Sequence, residues 1–414
     1  MNTSTQKTQI IFKRNLAKKI AGKAMNYIKR LSLPLNPPNI VTTEDLEKTL
    51  VESGWGSFNN FLSVRSEKPF FFQKMDKEFI RNEFKKLFPE AFETIREKSQ
   101  KCHQREFNEL GSGFVKLSSS EEGICWREDF KSGIVWPLKN YLSVPIIIDD
   151  DISDIKTIWE LSRFQFGISL AQMEILTGDT NHRERFIALV DDWMTGNPYP
   201  LGPNWICPME LAIRSINLIC AVELFQNTTK LPEDFMRKLC ASLFQHGRHI
   251  KENIEFVGRG ANTNHYLADL VGLLALGLFF DRVTEAKEWR EFAISELEQE
   301  IISQTTEDGY CYESSMNYHL MVCEFYLHAF TLCRANALDL SVPFMRRLTK
   351  MIEFTQNSIG PNGKLPNIGD NDSGRLLKLS ERPDRDPSWI LLWARMEGIG
   401  PLDFVPTQTI TPES

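Results

Sequence analysis

The chain has 414 residues, 42% hydrophobic and 25% charged, which is the composition of an ordinary globular protein with enough length for a well-buried core. Its net charge of −7, from 55 acidic and 48 basic residues, argues against a general nucleic-acid binder but leaves room for an acidic polysaccharide in a locally basic cleft. Eight cysteines without a CxxC pair exclude a zinc ribbon or a disulfide framework and read as buried free thiols.

The N-terminus lacks the continuous apolar run and small-residue cleavage site of a secretory signal, so a cytoplasmic location is expected. No run of about 18 apolar residues occurs, and no transmembrane helix is expected. Gln9 to Leu31 reads as a basic amphipathic helix, with Lys13, Arg14, Lys18, Lys19, Lys23, Lys29 and Arg30 on a solvated face or a peripheral membrane contact. Residues 1–145 form an irregular N-terminal segment. In it Leu46–Val51 and Lys77–Ser99 read as helices, and Gly123–Asn140 as an extended loop wrapping onto the next domain.

Over residues 146–400 the pattern becomes helical throughout. Ile152–Thr177, Arg183–Thr195, Pro208–Phe225, Glu233–Phe256, His265–Phe280, Thr284–Thr305, Met316–Ala337 and Val342–Ser358 carry apolar residues at helical spacing. Short breakers such as Gly196-Asn197-Pro198 and Gly258-Arg259-Gly260 separate them. The chain is therefore all-α, built of antiparallel helical hairpins. A bundle, a solenoid and an α/α toroid all fit such hairpins. No matching repeat of roughly 30 to 45 residues supports a solenoid. Polar and glycine-rich clusters at helix starts suit a toroid whose loops build a cleft on one face. Residues 401–414 read as a tail.

Four clusters carry candidate chemistry. In Gly258-Arg259-Gly260-Ala261-Asn262-Thr263-Asn264-His265-Tyr266 a glycine-rich loop runs into a helix start, whose free N–H groups favour a bound carboxylate. The plainer alternative is that Asn262 or Thr263 caps the helix and His265 fills the core. In the stretch from Asp308-Gly309 to Tyr318-His319, Glu313, Tyr318 and His319 lie near another helix start, and Tyr and His are plausible proton-transfer groups. Gly369-Asp370-Asn371-Asp372 fails the EF-hand spacing, so no metal is expected there; it reads as a hydrogen-bonded loop supporting the cleft. Asn204-Trp205 precedes Glu210 and Arg214, four apart and able to pair on one helix face, with Trp205 a candidate for sugar stacking. Asp154, Lys156, Trp159, Glu160 and Arg163 form a similar group at the start of another helix.

Together these segments resemble the heparinase II/III-like polysaccharide lyase family. The resemblance lies in Asp154–Arg163, in Asn204-Trp205 with Met209–Arg214, in Asn262–Leu267, in Asp308–His319 and in Gly369–Arg375, in the same order across roughly residues 120–380. It implies an incomplete α/α toroid and β-elimination on uronate-containing polysaccharides, with no cofactor. The catalytic positions it implies are Asn264, His265 and Tyr318. Trp205, Glu210, Arg214, Arg259, Asn262, Glu313, His319, Asp370 and Arg375 would contact substrate. Members usually carry a C-terminal β-sandwich after the toroid and are often periplasmic or secreted. A separate β-sandwich chain or domain is therefore an expected partner beside the acidic polysaccharide. Two other functions stay open: a non-catalytic polysaccharide-binding or surface-glycan assembly protein, and a toroid glycoside hydrolase. The hydrolase needs carboxylates about 5 or 6.5–9.5 Å apart, for which Asp308, Glu313, Asp370 and Asp372 are the candidates.

Overall fold

A computed structural model describes residues 39–400 apart from 68–69, 73–75, 118, 121–122, 149–152, 372–373, 382 and 384. The basic segment Gln9–Leu31, Asp372 and the 401–414 tail lie outside the described residues. The N-terminal part holds α1 (Thr43–Leu50), a π-helical turn at Val51–Trp55, α2 (Phe58–Glu67), α3 (Lys77–Leu87) and α4 (Pro89–Gln104). Thr42 and Asp45 close a reciprocal capping box at α1. The single helix expected over Lys77–Ser99 is two. Phe88 leaves the helical region (φ −135°, ψ 61°), and Pro89, which has no N–H to give, opens the next helix at its first position. Three short antiparallel hairpins come next: β1 (Glu106–Phe107) with β2 (Val115–Lys116), β3 (Ser119–Ser120) with β4 (Gly123–Ile124), and β5 (Glu128–Asp129) with β6 (Ile134–Val135). The last three strands, two residues each, fall within the segment read as an extended loop.

From residue 155 the elements are α5 (Ile155–Leu161), α6 (Gln165–Thr177), α7 (Asn181–Gly196), α8 (Pro208–Gln226), α9 (Glu233–Glu252), α10 (Asn264–Phe279), α11 (Thr284–Ser303), α12 (Met316–Ala335), α13 (Val342–Asn357) and α14 (Ser388–Met396). The helix expected over Ile152–Thr177 breaks at Ser162-Arg163-Phe164, where Phe164 adopts a left-handed φ of 59°.

Two layers follow from the distribution of apolar residues. In α8 and α10 they run all round the helix, and burial is nearly complete; in α10 every residue but His265 is buried. In α11 the buried residues Ala286, Trp289, Ala293, Leu297 and Ile301 make a single stripe. Accordingly α6, α8, α10 and α12 pack side by side as an inner layer, and α7, α9, α11 and α13 cover them from outside. Small residues allow the close approach. A Cβ on Gly272 would fall 2.5 Å from that of Ala212 on α8, and one on Gly277 would fall 2.6 Å from the carbonyl of Ala286 on α11. One apolar cluster runs from Val41 to Ile399 and takes in α1, α2 and Cys102 of α4, while Phe92 and Ile95 of α4 pack with Met173 of α6 in a smaller one; α1 lies against α9, and α3 and α4 against α6.

Each inner helix is followed by an outer helix running back, so the inner helices share one direction. Their N-termini, at Gln165, Pro208, Asn264 and Met316, gather at one end of the ring. Between α13 and α14 the chain returns across this inner layer. Gln165 Nε2 of α6 donates to the Arg375 carbonyl (2.7 Å) and Asn217 Nδ2 of α8 to the Leu376 carbonyl (2.7 Å). The Glu324 carboxylate of α12 accepts from the N–H groups of Leu376 (3.0 Å) and Leu377 (3.1 Å).

Candidate active site

A cleft of about 110 Å³ opens where the inner helices begin, lined among others by Trp159, Arg163, Glu210, Asn264, His265 and Tyr318. A second cavity of about 150 Å³ shares Tyr318, Met321 and Gly374 with it and continues toward Arg375, Lys378 and Trp389. Tyr318 thus stands at the junction of two halves of one groove, with helix N-termini and their partial positive charge at its floor.

Asn264 is the first residue of α10. Its helix has no side-chain cap from Thr263. The cap comes instead from Glu313, 49 residues on, whose Oε1 accepts the Asn264 backbone N–H (2.8 Å) and whose Oε2 accepts the Asn264 Nδ2 (2.9 Å). A carboxylate at a helix N-terminus is favoured by charge as well as by hydrogen bonding. It also locks the amide plane: one N–H points to Glu313, which leaves the second N–H and the carbonyl oxygen for a ligand. Tyr318 is set by α12 in the same manner. Ser315 caps that helix, accepting the Tyr318 N–H (3.3 Å), and its hydroxyl donates to the Asp370 carbonyl (2.6 Å). Asp370 therefore serves through its main chain while its side chain is exposed. Gly369 beside it has φ 74°, and a Cβ there would fall 2.7 Å from the backbone of Ser315.

Glu210 does not pair with Arg214. Arg163, at the break between α5 and α6, donates to both its oxygens (Nε to Oε2 2.7 Å, Nη2 to Oε1 2.8 Å) and reaches Glu160 with Nη1. Burial opposes ionisation of Glu210, but the Arg163 guanidinium overrides it and holds the carboxyl below its usual range; for Glu160 burial wins and the pKa is raised. Arg214 is wholly buried. It donates to the carbonyls of Ser162 (2.7 Å) and Asn204 (3.2 Å) and lies 4.4 Å over the Trp193 ring.

Other expected contacts are also placed away from the cleft. Trp205 is 2% exposed, bonded to the Asn197 carbonyl and packed on His246, so it has no face for a sugar. His319 is buried between the Cys311 N–H and the Thr355 hydroxyl, and burial depresses its pKa to about 4. Asn262 and Arg259 brace the glycine-rich loop: Asn262 Oδ1 accepts from Val257 and Gly258, and both side chains reach Glu300 of α11. Arg375 does line the groove, with its guanidinium 3.6 Å over Trp389 and its Nε 3.4 Å from Glu324.

His265 keeps a side chain 44% exposed, and its Nδ1 lies 3.1 Å from Glu255 Oε1. Burial of the ring would lower its pKa; the facing Glu255 carboxylate outweighs that and raises it to about 9. Glu255 carries no local signal in the sequence. Lys378 and Trp389 carry none either, since they reach the groove only through the returning segment after α13. Lys156, Trp159, Glu160 and Arg163 stand out in the sequence as a charged and aromatic group, and the cleft brings them together with Glu210, a contact across 47 residues.

The fold is shared with proteins of known structure. The family described as Heparinase II/III N-terminus matches residues 78–381, and the chain belongs to it. A heparin-sulfate lyase of Pedobacter heparinus is 24% identical over 227 residues, covering 53% of this chain and 34% of that protein. A heparin-sulfate lyase of Bacteroides stercoris is 22% identical over 280 residues, 62% of this chain and 38% of that protein. The matched region thus spans little more than a third of the length of these relatives. Among solved structures, a heparan sulfate lyase from Pedobacter heparinus superposes with a TM-score of 0.56 at 20% identity, covering 85% of this chain and 51% of that one. A heparinase III gives 0.53 at 18% identity, over 79% and 49%. At this identity the likeness establishes the fold.

Proposed function

We propose that this toroid carries the catalytic face of a polysaccharide lyase that cleaves uronate-containing chains of the heparan sulfate type by β-elimination. The observation that carries the reading is the Asn264 amide, clamped by Glu313 at the start of α10, on the same cleft as Tyr318. β-Elimination removes the C5 proton alpha to a carboxylate and expels the O4 substituent. The anion that develops is stabilised by donors aimed at the carboxylate, and removing one such donor typically costs about 10²–10³ in rate. The second N–H of Asn264 and the N-terminal end of α10 are such donors. His265 presents its remaining ring nitrogen beside them. Tyr318 takes the C5 proton and protonates the leaving oxygen, while His265, held charged by Glu255, is a further donor to the carboxylate. Arg375 and Lys378, farther along the groove, suit an anionic polymer. The cleft's Glu160 and Glu210 both serve Arg163, which disfavours a pair of carboxylates working across a glycosidic bond.

The test is incubation of the protein with a panel of uronate polymers while ultraviolet absorbance of a C4–C5 unsaturated product is followed. Absorbance that disappears in Tyr318→Phe supports the lyase, with an expected loss of about 10²–10⁴-fold for one acid–base group. New reducing ends without absorbance would replace it with a hydrolase, and binding without cleavage with a glycan-binding protein.

A further inference from the structure

Behind the cleft, three side chains from three separate elements converge. Cys207 caps α8, Glu255 lies in the loop after α9, and His265 stands in the first turn of α10. The thiol sulfur is 3.9 Å from Glu255 Oε2 and 3.8 Å from His265 Nδ1, and that nitrogen is 3.2 Å from the same carboxylate oxygen. Among the described residues this is the group of Cys, His and acidic side chains whose ligand atoms come together closely enough to hold one metal ion. A tetrahedral zinc ion, with Zn–S near 2.3 Å and Zn–N and Zn–O near 2.0–2.1 Å, sets sulfur about 3.5 Å from each light ligand and those two about 3.3 Å apart. The triangle observed here needs only a few tenths of an ångström of contraction to match.

The surroundings are those of a supported ligand set. Asp269, one turn beyond His265 on α10, accepts the Glu255 backbone N–H through Oδ2 (2.8 Å) and so fixes the loop that carries Glu255. Its Oδ1 is buried and has no hydrogen-bond partner. Asp269 thus stands behind the ligands as a support for the Glu255 loop, while Glu255 and Cys207 are the groups that would bring negative charge to a cation. Cys207 is 7% exposed, whereas His265 lines the cleft.

We propose that Cys207, Glu255 and His265 form a three-ligand site for zinc, with a fourth position filled by solvent or by an anionic ligand. The Cys207 thiol proton and the proton that His265 Nδ1 shares with Glu255 both leave to solvent when the ion binds. The site would tie the starts of α8 and α10 to the loop between α9 and α10; it shares His265 with the cleft, but metal binding is read independently of whether the cleft acts as a lyase. Nothing in the spacing of Cys207, Glu255 and His265 along the chain announces it. It departs from the expectation of free thiols and of no metal.

The experiment uses the untagged full chain, stripped with chelator and titrated with zinc and, in parallel, with cobalt(II). About one zinc per chain is expected by elemental analysis. The cobalt form should show a thiolate-to-cobalt charge-transfer band and the strong visible bands of a tetrahedral centre. Cys207→Ser should remove the charge-transfer band and weaken zinc binding at least tenfold. Cys125→Ser, which changes a thiol elsewhere, should alter neither. His265→Ala, at the most exposed of the three ligands, should weaken zinc binding with its circular dichroism unchanged, which covers the case in which Cys207→Ser does not fold. Absence of stoichiometric zinc in the wild type, or a cobalt spectrum that Cys207→Ser leaves intact, overturns the proposal.

Discussion

Glu313 shows how a site residue can work through another. It caps α10 and orients the Asn264 amide with the same carboxylate. A glutamine there keeps the shape but loses one acceptor and gains an N–H that opposes that of Asn264. Glu313→Gln is therefore expected to lower kcat about 10- to 100-fold on whichever uronate polymer the protein cleaves, a fraction of the loss from deleting a stabilising donor. KM should change less than kcat, because the amide matters most once charge has developed. Steady-state kinetics check this, and an unchanged kcat would remove Glu313 as a positioning residue. The sequence pattern placed Asn264 and Tyr318 near helix starts, behind a glycine-rich loop and behind Ser314-Ser315, and both do lie in the first turn of a helix. Their partners were not legible: Glu313 lies 49 residues from Asn264 in sequence, and residue type alone reports neither distance nor direction. Trp205 illustrates the converse. An aromatic before a polar helix face suggests a sugar platform, yet its indole N–H is satisfied inside by Asn197 and its faces are packed.

At the scale of elements, helix existence could be read from period and breakers, and seven of the toroid's eight hairpin helices emerge close to their expected bounds, while α6 begins only at Gln165. The Phe88-Pro89 division had a signal in proline. The Ser162–Phe164 break had none, being free of glycine and proline, and it is maintained by tertiary contacts: Arg214 holds the Ser162 carbonyl and Arg163 is drawn to Glu210. The inner-layer helices are a different matter. Their all-round apolarity reads as burial, but the order of packing does not follow from it. Gly272 tests that packing. With Ala212 Cβ only 2.5 Å from the position of an added Cβ, Gly272→Val must push α8 and α10 apart. A loss of about 1–3 kcal/mol is expected, at the level of an overpacked core. Chemical denaturation measures it, and a variant as stable as the wild type would show that the two helices can separate freely.

For the molecule as a whole, buried histidines set the response to acid. Burial holds His249, His319 and His328 at pKa values of about 3, 4 and 3, against 6.5 for an unperturbed imidazole. The folded state therefore keeps them neutral while the unfolded chain takes up protons readily. Their contribution to stability is complete above about pH 6.5 and is lost as the pH falls toward 4. Each group costs up to about 1.4 kcal/mol per pH unit across that window. Calorimetry between pH 7 and 5 should show the melting temperature falling, and a flat profile would mean that other groups compensate. None of this could be read from the sequence, where a histidine on a helix looks the same inside and out.

The segment that returns across the inner layer is tied to α6, α8 and α12 by Gln165, Asn217 and Glu324, and all of those ties address main-chain atoms of residues 375–377. Such lacing is blind to the identity of the side chains it holds. The loop's path over the toroid is therefore set by its main chain, while its groove-facing cations answer to partners of their own, Arg375 to Glu324 and Lys378 to Glu109. Frame and facing are fastened separately, so a change of charge on the groove wall must be matched at the carboxylate behind it but leaves the frame standing.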